Sequence, residues 1–172
     1  MMNRPEKTEY AEYYDRYISL VAESDIVAAM ENQLRETESF FAGISEEKGS
    51  LAYAADKWTI KQVVGHLSDG EKIFAYRALR ISRGDETPIE GFEQDGYVEN
   101  GNFDAARLAD LVEEFSLLRR ANILAFKNLT DEAWNKTGTA SDNQVSVRAL
   151  AYIMVGHVRH HIKILKERYL PE

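Results

Sequence analysis

Proline, the residue that most reliably interrupts a helix, occurs only at positions 5, 88 and 171 of this 172-residue chain. Between those points no backbone N–H is missing and no pyrrolidine ring blocks a helical turn. Glycine is also sparse, with 10 in the chain. Long uninterrupted helices are therefore permitted, and hydrophobic spacing says where they fall.

A first long helix is predicted from about Asp25 to Gly43, capped by Ser24 or Asp25. Ile26, Met30, Leu34, Thr37, Phe41 and Ile44 form its buried stripe. A second begins at the capping box Thr59-Ile60-Lys61-Gln62 and reaches about Ser82, with Ile60, Val63, Leu67, Phe74 and Leu79 inward. Residues 84 to about 102 carry Pro88, Gly91, Gly96 and Gly101 among many acidic residues and are expected to form a long loop. A third helix is predicted from about Phe103 to Asn128, with Leu108, Leu111, Phe115, Leu118, Ile123 and Phe126 as core. Residues 129–134 form a turn into another capped segment. Residues 135–145 are expected to be irregular, with an extended piece near Gln144-Val145. The last helix is predicted from near Ser146 to about Tyr169, with Leu150, Ile153, Met154, His157, His161, Ile164 and Leu165 inward.

Before all of these, Tyr10, Tyr13, Tyr14 and Tyr17 recur at helix-like spacing. They predict a short helical arm packed on the rest through its rings, the alternative being that one of them lines a pocket. Four amphipathic helices without a strand set give an all-α fold, an antiparallel four-helix bundle, as one domain over 1–172.

The balance of 44% apolar and 29% charged residues is that of a globular domain. A net charge of −8 disfavours nucleic acid and anionic membrane surfaces as partners. No run approaches the roughly 20 apolar residues of a membrane span, and no apolar leader follows Met1-Met2-Asn3-Arg4-Pro5. Cysteine is absent. A soluble, cytoplasmic protein is expected, and any metal would be held by His, Asp or Glu.

Histidine is the informative residue. Three of the 4 histidines lie in Gly156-His157-Val158-Arg159-His160-His161, and the fourth is His66. His157 and His161 are four apart, so both rings leave one helix face, together with Leu150, Ile153 and Ile164. His66 lies on the inward stripe of the second helix. Buried imidazoles need partners for both nitrogens, and an unmet one costs about 1–3 kcal/mol. A divalent metal ion shared by His66, His157 and His161 meets three lone pairs at once. His160 lies off that face and is expected to flank the site. Asp69, one turn after His66, is the candidate to orient it or act as a base, with Glu71 the weaker choice; both are also ordinary helix charges. Trp58 either packs the helix entry or walls the pocket. Ser68 is expected on the helix surface and not as a nucleophile. Val158 replaces the glutamate of the H-E-x-x-H zinc proteases, and no nucleophile elbow, phosphate loop or dinucleotide fingerprint is present.

The segment Lys57-Trp58-Thr59-Ile60-Lys61-Gln62-Val63-Val64-Gly65-His66-Leu67-Ser68-Asp69, followed far downstream by Gly156-His157-Val158-Arg159-His160-His161, resembles the DinB-like superfamily, which includes YfiT-type metal-dependent hydrolases. The opening Tyr10 to Ile18 and Gly91-Phe92-Glu93-Gln94-Asp95 resemble one subgroup, so the likeness covers nearly the whole chain. Ile164 and Leu165 stand where many relatives carry a glutamine. The resemblance implies a four-helix bundle, a homodimer, and a nickel, zinc or similar divalent ion on His66, His157 and His161. It further implies hydrolase chemistry, or transfer or isomerisation with a low-molecular-weight thiol. Lacking cysteine, the chain would take such a thiol as a cosubstrate. A non-catalytic, stress-related or metal-stabilised binding module is the rival reading, and a bundle without metal is the third.

Overall fold

The computed structural model describes residues 3–171. The start expected to lack a leader falls partly on Met1 and Met2, which with Glu172 at the end of the expected domain lie outside the described residues. The chain passes through two 3-10 turns, Lys7–Glu9 and Glu12–Tyr14, into α1 (Asp15–Ile18), α2 (Ile26–Ala42), α3 (Glu46–Gly49), α4 (Ile60–Ser82), α5 (Gln94–Asn100), α6 (Leu108–Lys127) and α7 (Asp131–Asn135). The strands β1 (Thr137–Ala140) and β2 (Asn143–Ser146) then lead into α8 (Val147–Ile164), which ends in a π-helical segment, Leu165–Tyr169. No described helix is long and apolar enough to cross a membrane.

The long helices start where side-chain oxygens meet free N–H groups. Asp25 accepts from the Ala28 N–H, and Ser146 accepts from that of Ala149. Thr59 and Gln62 cap reciprocally, at 3.1 and 2.9 Å.

In the bundle α4 and α2 are diagonal, and each packs against both α6 and α8. The ion pairs Glu31–Lys127 and Glu38–Arg120 occur in reverse order along α2 and α6, so these two are antiparallel. Trp58 meeting Tyr169 and His66 meeting His157 make α4 and α8 antiparallel as well. By contrast, Lys72 pairs with Glu114 while Ser82 lies beside Leu129, so α4 and α6 run the same way. Gln33 with Val155 and Phe40 with Lys166 give α2 and α8 one direction. The four-helix bundle thus runs up, down, down, up.

That topology explains the long connection after α4. A parallel neighbour must start at the end where α4 started, so the chain climbs back about 34 Å, the length of a 23-residue helix. The expected loop does this but is not structureless. It contains α5, capped by Glu93, and Ile89 is stitched to β1 through Ile89 N–H to Thr139 O and Ser141 N–H to Ile89 O, each 2.9 Å.

Other boundaries also moved. α6 begins at Leu108, not Phe103, because Asn102 is left-handed and residues 103–105 form a separate 3-10 turn. The segment expected to be irregular is a two-residue β-hairpin, a small addition to the all-α bundle. Its turn residues Ser141 and Asp142 have φ of 51° and 59°, the paired left-handed geometry whose twist matches a hairpin. Leu79, expected inside, is 53% exposed, because Phe74, Ala78 and Ile81 take the inward phase of α4. Ser68, expected on the surface, is buried, since neighbours cover α4 on several sides.

The arm is pinned along α8. Glu9 accepts from Ser146 at 2.7 Å and from the Arg148 guanidinium, Glu23 pairs with Arg159, and the Tyr152 hydroxyl donates to the Glu23 carbonyl at 2.9 Å. α1 lies so close to α8 that a Cβ on Gly156 would stand 2.1 Å from the Tyr17 carbonyl oxygen. Only glycine fits there.

A polar cluster at the bundle centre joins all four long helices. Arg119 of α6 is fully buried and donates to both Glu71 oxygens of α4, at 3.0 and 2.6 Å. It also donates to Gln33 of α2 at 2.7 Å and to the Met154 carbonyl of α8 at 3.4 Å. Gln33 donates in turn to Val155 O, and Asn122 to Glu71. Removing one member of such a buried pair strands the other charge, which costs about 3–5 kcal/mol. Glu71→Gln is therefore expected to lower unfolding free energy by about that amount in urea titration. A loss under about 1 kcal/mol would show that the cluster does not lock the bundle.

Candidate metal centre

His66 leaves α4 about two turns from its start, and His157 and His161 leave one face of α8 opposite it. The antiparallel crossing of these helices makes the three rings converge. Their ring centroids form a nearly equilateral triangle with sides of 4.8, 4.8 and 4.7 Å. One nitrogen from each lies within 4.8 Å of the others, and the Nε2 atoms of His66 and His157 are 2.9 Å apart. The sequence-based set His66, His157 and His161 is brought together in full.

Two small details let the rings meet. A Cβ on Gly70, one turn beyond His66, would lie 3.0 Å from Cε1 of His157, so a side chain there would crowd the ring. Aromatic groups then wall the cluster. Trp58 packs on His66 at 4.9 Å and stacks over His161 at 6.5 Å. Tyr17 and Phe74 stand edge-on to His157 at 5.3 and 5.9 Å. Trp58 therefore walls the site as well as packing the entry of α4.

This dry setting keeps the imidazoles neutral. Burial lowers the His66 pKa to about 4, with positive charge at His160 adding to the effect. His157 is held well below the ordinary value by burial and then by His161 and His66, and His161 by burial and then by His66 and His160. Neutral rings keep a lone pair each. Among the described residues the three make no hydrogen bond to any carbonyl or carboxylate, and their one polar link is the 2.9 Å contact.

The donor set fits a divalent ion. With metal–nitrogen bonds of about 2.0–2.1 Å, two nitrogens on one ion stand about 3.0 Å apart at a right angle and about 3.4 Å apart at the tetrahedral angle. The His66–His157 separation already has that size. All-nitrogen ligation suits zinc, nickel, copper and iron.

The remaining candidates lie outside the triad. His160 is half-buried, its ring 5.3 Å from Tyr17 and 5.1 Å from His161. Asp69 sits 3.6 Å from Lys72, which also binds Glu114 at 2.8 Å, and makes no hydrogen bond to an imidazole among the described residues. Burial raises the Asp69 carboxyl pKa, against the opposing charge of Lys72. Glu71 turns away to Arg119.

A cavity of about 300 Å³ opens on His66 and His157. Tyr13, Tyr14 and Tyr17 of the arm form one wall, and Phe74, Phe92, Glu93 and Ser141 the others. The arm tyrosines thus line a pocket besides packing. The connection and the hairpin turn supply side chains that helical periodicity did not single out. The sequence signals for Phe92 and Glu93 are the unusual length of the 84–102 segment and the Gly91-Phe92-Glu93-Gln94-Asp95 resemblance; Ser141 had none.

The fold and site together define a helical bundle whose three inward imidazoles could hold a metal ion, with a cavity at their edge. The sequence profile of the DinB superfamily matches residues 29–165, and the chain belongs to that superfamily. None of the curated proteins matches it in sequence. Among solved structures, it is similar to YfiT from Bacillus subtilis, described as a probable metal-dependent hydrolase with an unusual four-helix bundle topology. That likeness has 18% identity and a TM-score of 0.71, covering 96% of this chain and 91% of YfiT. It is also similar to mycothiol-dependent maleylpyruvate isomerase, at 9% identity and a TM-score of 0.68, covering 84% of this chain and 61% of the isomerase. A histidine-to-alanine variant of that isomerase gives the same TM-score of 0.68 at 8% identity. This chain therefore spans less than two thirds of the isomerase. At such identities these likenesses show a shared fold.

The depressed histidine values fix a pH dependence for the metal-free protein. Unfolded, His66 takes a proton near pH 6.5; folded, it stays neutral down to about pH 4. Between those values the unfolded state binds more protons, so stability present above pH 6.5 is lost as pH falls toward 4. For His66 alone the loss is up to about 3 kcal/mol. Urea titrations from pH 7.5 to 4 should show a flatter slope in His66→Gln than in the native chain; identical slopes would contradict the burial argument.

Proposed function

We propose that this chain is a divalent-metal-dependent enzyme acting on a small molecule, either a hydrolase or an S-transferase that uses a low-molecular-weight thiol. The observation that carries this reading is a three-nitrogen donor set, two of whose rings open on a cavity. A structural site is closed by four protein ligands, whereas a catalytic one keeps positions open. Nickel or zinc on His66, His157 and His161 fits the donor set, and when bound supplies Lewis acidity that makes water or a thiol nucleophilic at neutral pH. The imidazoles hold the site with no compensating negative charge. Trp58, Tyr17 and Phe74 exclude bulk water around them. Asp69 is the proton-acceptor candidate, since burial raises its affinity for a proton; its oxygen lies 3.6 Å from Lys72.

The names of two relatives, a probable metal-dependent hydrolase and a mycothiol-dependent isomerase, support both branches. The absence of cysteine means that a reacting thiol would be a cosubstrate. It also accords with a cytoplasmic setting. The rival reading, a metal-stabilised module without turnover, is less well served by a cavity that reaches two of the three rings.

Protein purified without chelator is expected to carry about one metal ion per chain by elemental analysis. His157→Ala and His161→Ala should each lose it. Retention in both would remove the basis of the proposal. Metal-loaded protein should then form a metal-dependent adduct with one member of a thiol and electrophile panel; if none forms, hydrolysis or simple binding takes precedence.

We also propose a homodimer. Tyr76 and Leu79 expose about half their area on α4, beside an apolar groove of about 410 Å³ shared with α6. Leu79→Asp is expected to shift sedimentation from dimer to monomer, and a native chain that sediments as a monomer contradicts this assignment.

A further inference from the structure

The chain contains two almost wholly buried arginines, and they are treated differently. Arg119 meets a carboxylate: its Nε and Nη2 edge grips both oxygens of Glu71. Arg77 of α4 is 2% exposed, yet among the described residues no carboxylate lies within ion-pair distance of it. Its Nη2 donates to the Ser141 hydroxyl at 2.8 Å and to the Glu90 main-chain carbonyl at 3.3 Å, and its Nη1 to the Tyr14 hydroxyl at 3.4 Å. Its Nε is buried and has no partner at all. A buried charge without a counter-charge is costly.

Arg77 itself lines a neighbouring cavity with Ile89, Glu90 and Phe92, and the groups it touches on its other side border the cavity beside the histidines. Tyr14 and Ser141, which it bonds, both line that cavity. So do Phe74 and Phe92, whose ring centroids lie 6.0 and 5.9 Å from its guanidinium carbon. Glu93 lines the cavity too, but its oxygens accept from the Asp95 and Gly96 N–H groups at 3.2 and 2.9 Å. It is held by the start of α5 and leaves the guanidinium unneutralised.

We propose that Arg77 is the carboxylate anchor of this pocket, and that the substrate is a small molecule bearing a carboxylate at one end and its reacting group at the histidine end. This assignment rests on the proposed metal-dependent function for the reacting end only. Arg77 presents the edge that Arg119 uses, a free Nε beside an Nη2 bonded to neutral oxygens, and a planar carboxylate matches that fork. Since Nε is shielded from water, the carboxylate enters by taking the place of the Ser141 hydroxyl at the cavity edge. One guanidinium balances a single negative charge and Glu93 nearby repels a second, which favours a carboxylate over a phosphate dianion. The anchor also accounts for the path of the chain: the hairpin turn and the 83–107 connection hold Ser141 and Phe92 around the guanidinium.

The test separates the anchor from the metal. In the metal-free full-length chain with ¹⁵N-labelled arginine, straight-chain carboxylates of three to six carbons are titrated against alcohols of equal length and methyl phosphate. The Arg77 Nε–H resonance, assigned with Arg77→Lys, should move saturably with carboxylate, with at least about tenfold tighter binding than for either control. Arg77→Met should lose that preference in calorimetry. Equal binding of alcohol and carboxylate, a resonance unmoved at saturation, or a preference kept in Arg77→Met would overturn the anchor, and tighter binding of methyl phosphate would overturn the choice of carboxylate. Because these arms contain no metal, carboxylate binding by a chain that takes up no ion would retain the anchor and refute the metal-dependent reading. Conversely, a metal-binding chain without carboxylate preference would refute the anchor alone.

Discussion

The contact of Arg119 with Glu71 fixes how the four long helices stand to one another. A guanidinium that is fully buried must satisfy its donors, and it does so by reaching Glu71 on α4, Gln33 on α2 and the Met154 carbonyl on α8. Sliding any of those helices by one turn would break at least one of these bonds and strand a charge in the core. The register so fixed places His66 opposite His157. The geometry of the candidate site is thus set by a polar cluster that is not part of the site.

Around that cluster the chain is routed to build a pocket. An up, down, down, up bundle forces a long climb between α4 and α6, and the climb brings Phe92 and Glu93 to the cavity. The hairpin before α8 brings Ser141. The arm brings three tyrosines, held by Glu9, Glu23 and the close approach of Tyr17 to Gly156. The helices supply the nitrogens, and the non-helical segments supply much of the wall. This division fits a rigid scaffold that sets the imidazoles while loops choose what lies beside them.

Much of this was legible in the sequence where the determining physics is local. The capping box at Thr59 and the cap at Asp25 fixed helix starts, because these bonds lie within three residues. The four-residue spacing of His157 and His161 fixed a shared face. What was not legible depended on partners distant in the chain. Helical spacing puts Leu118 in the core beside Arg119, yet the arginine is fully buried and the leucine half-buried, because only the tertiary fold supplies a carboxylate at Glu71. The extended piece expected near Gln144-Val145 is β2, but its pairing with β1 was not legible because Ser141-Asp142 lacks the Asn-Gly signature of a hairpin turn. Gly70 carried no pattern of its own; its meaning appears only when His157 lies against it. The unneutralised state of Arg77 is likewise visible only in three dimensions.

The proposed function requires that three imidazoles share one ion with positions left open toward the cavity. Crystals of metal-loaded protein, measured on both sides of the metal's absorption edge, test this directly. The predicted result is one anomalous peak within bonding distance of a nitrogen from each of His66, His157 and His161, with its remaining coordination facing Tyr17 and Phe74 and not filled by protein. A peak elsewhere, or one closed by a fourth side chain, would contradict it.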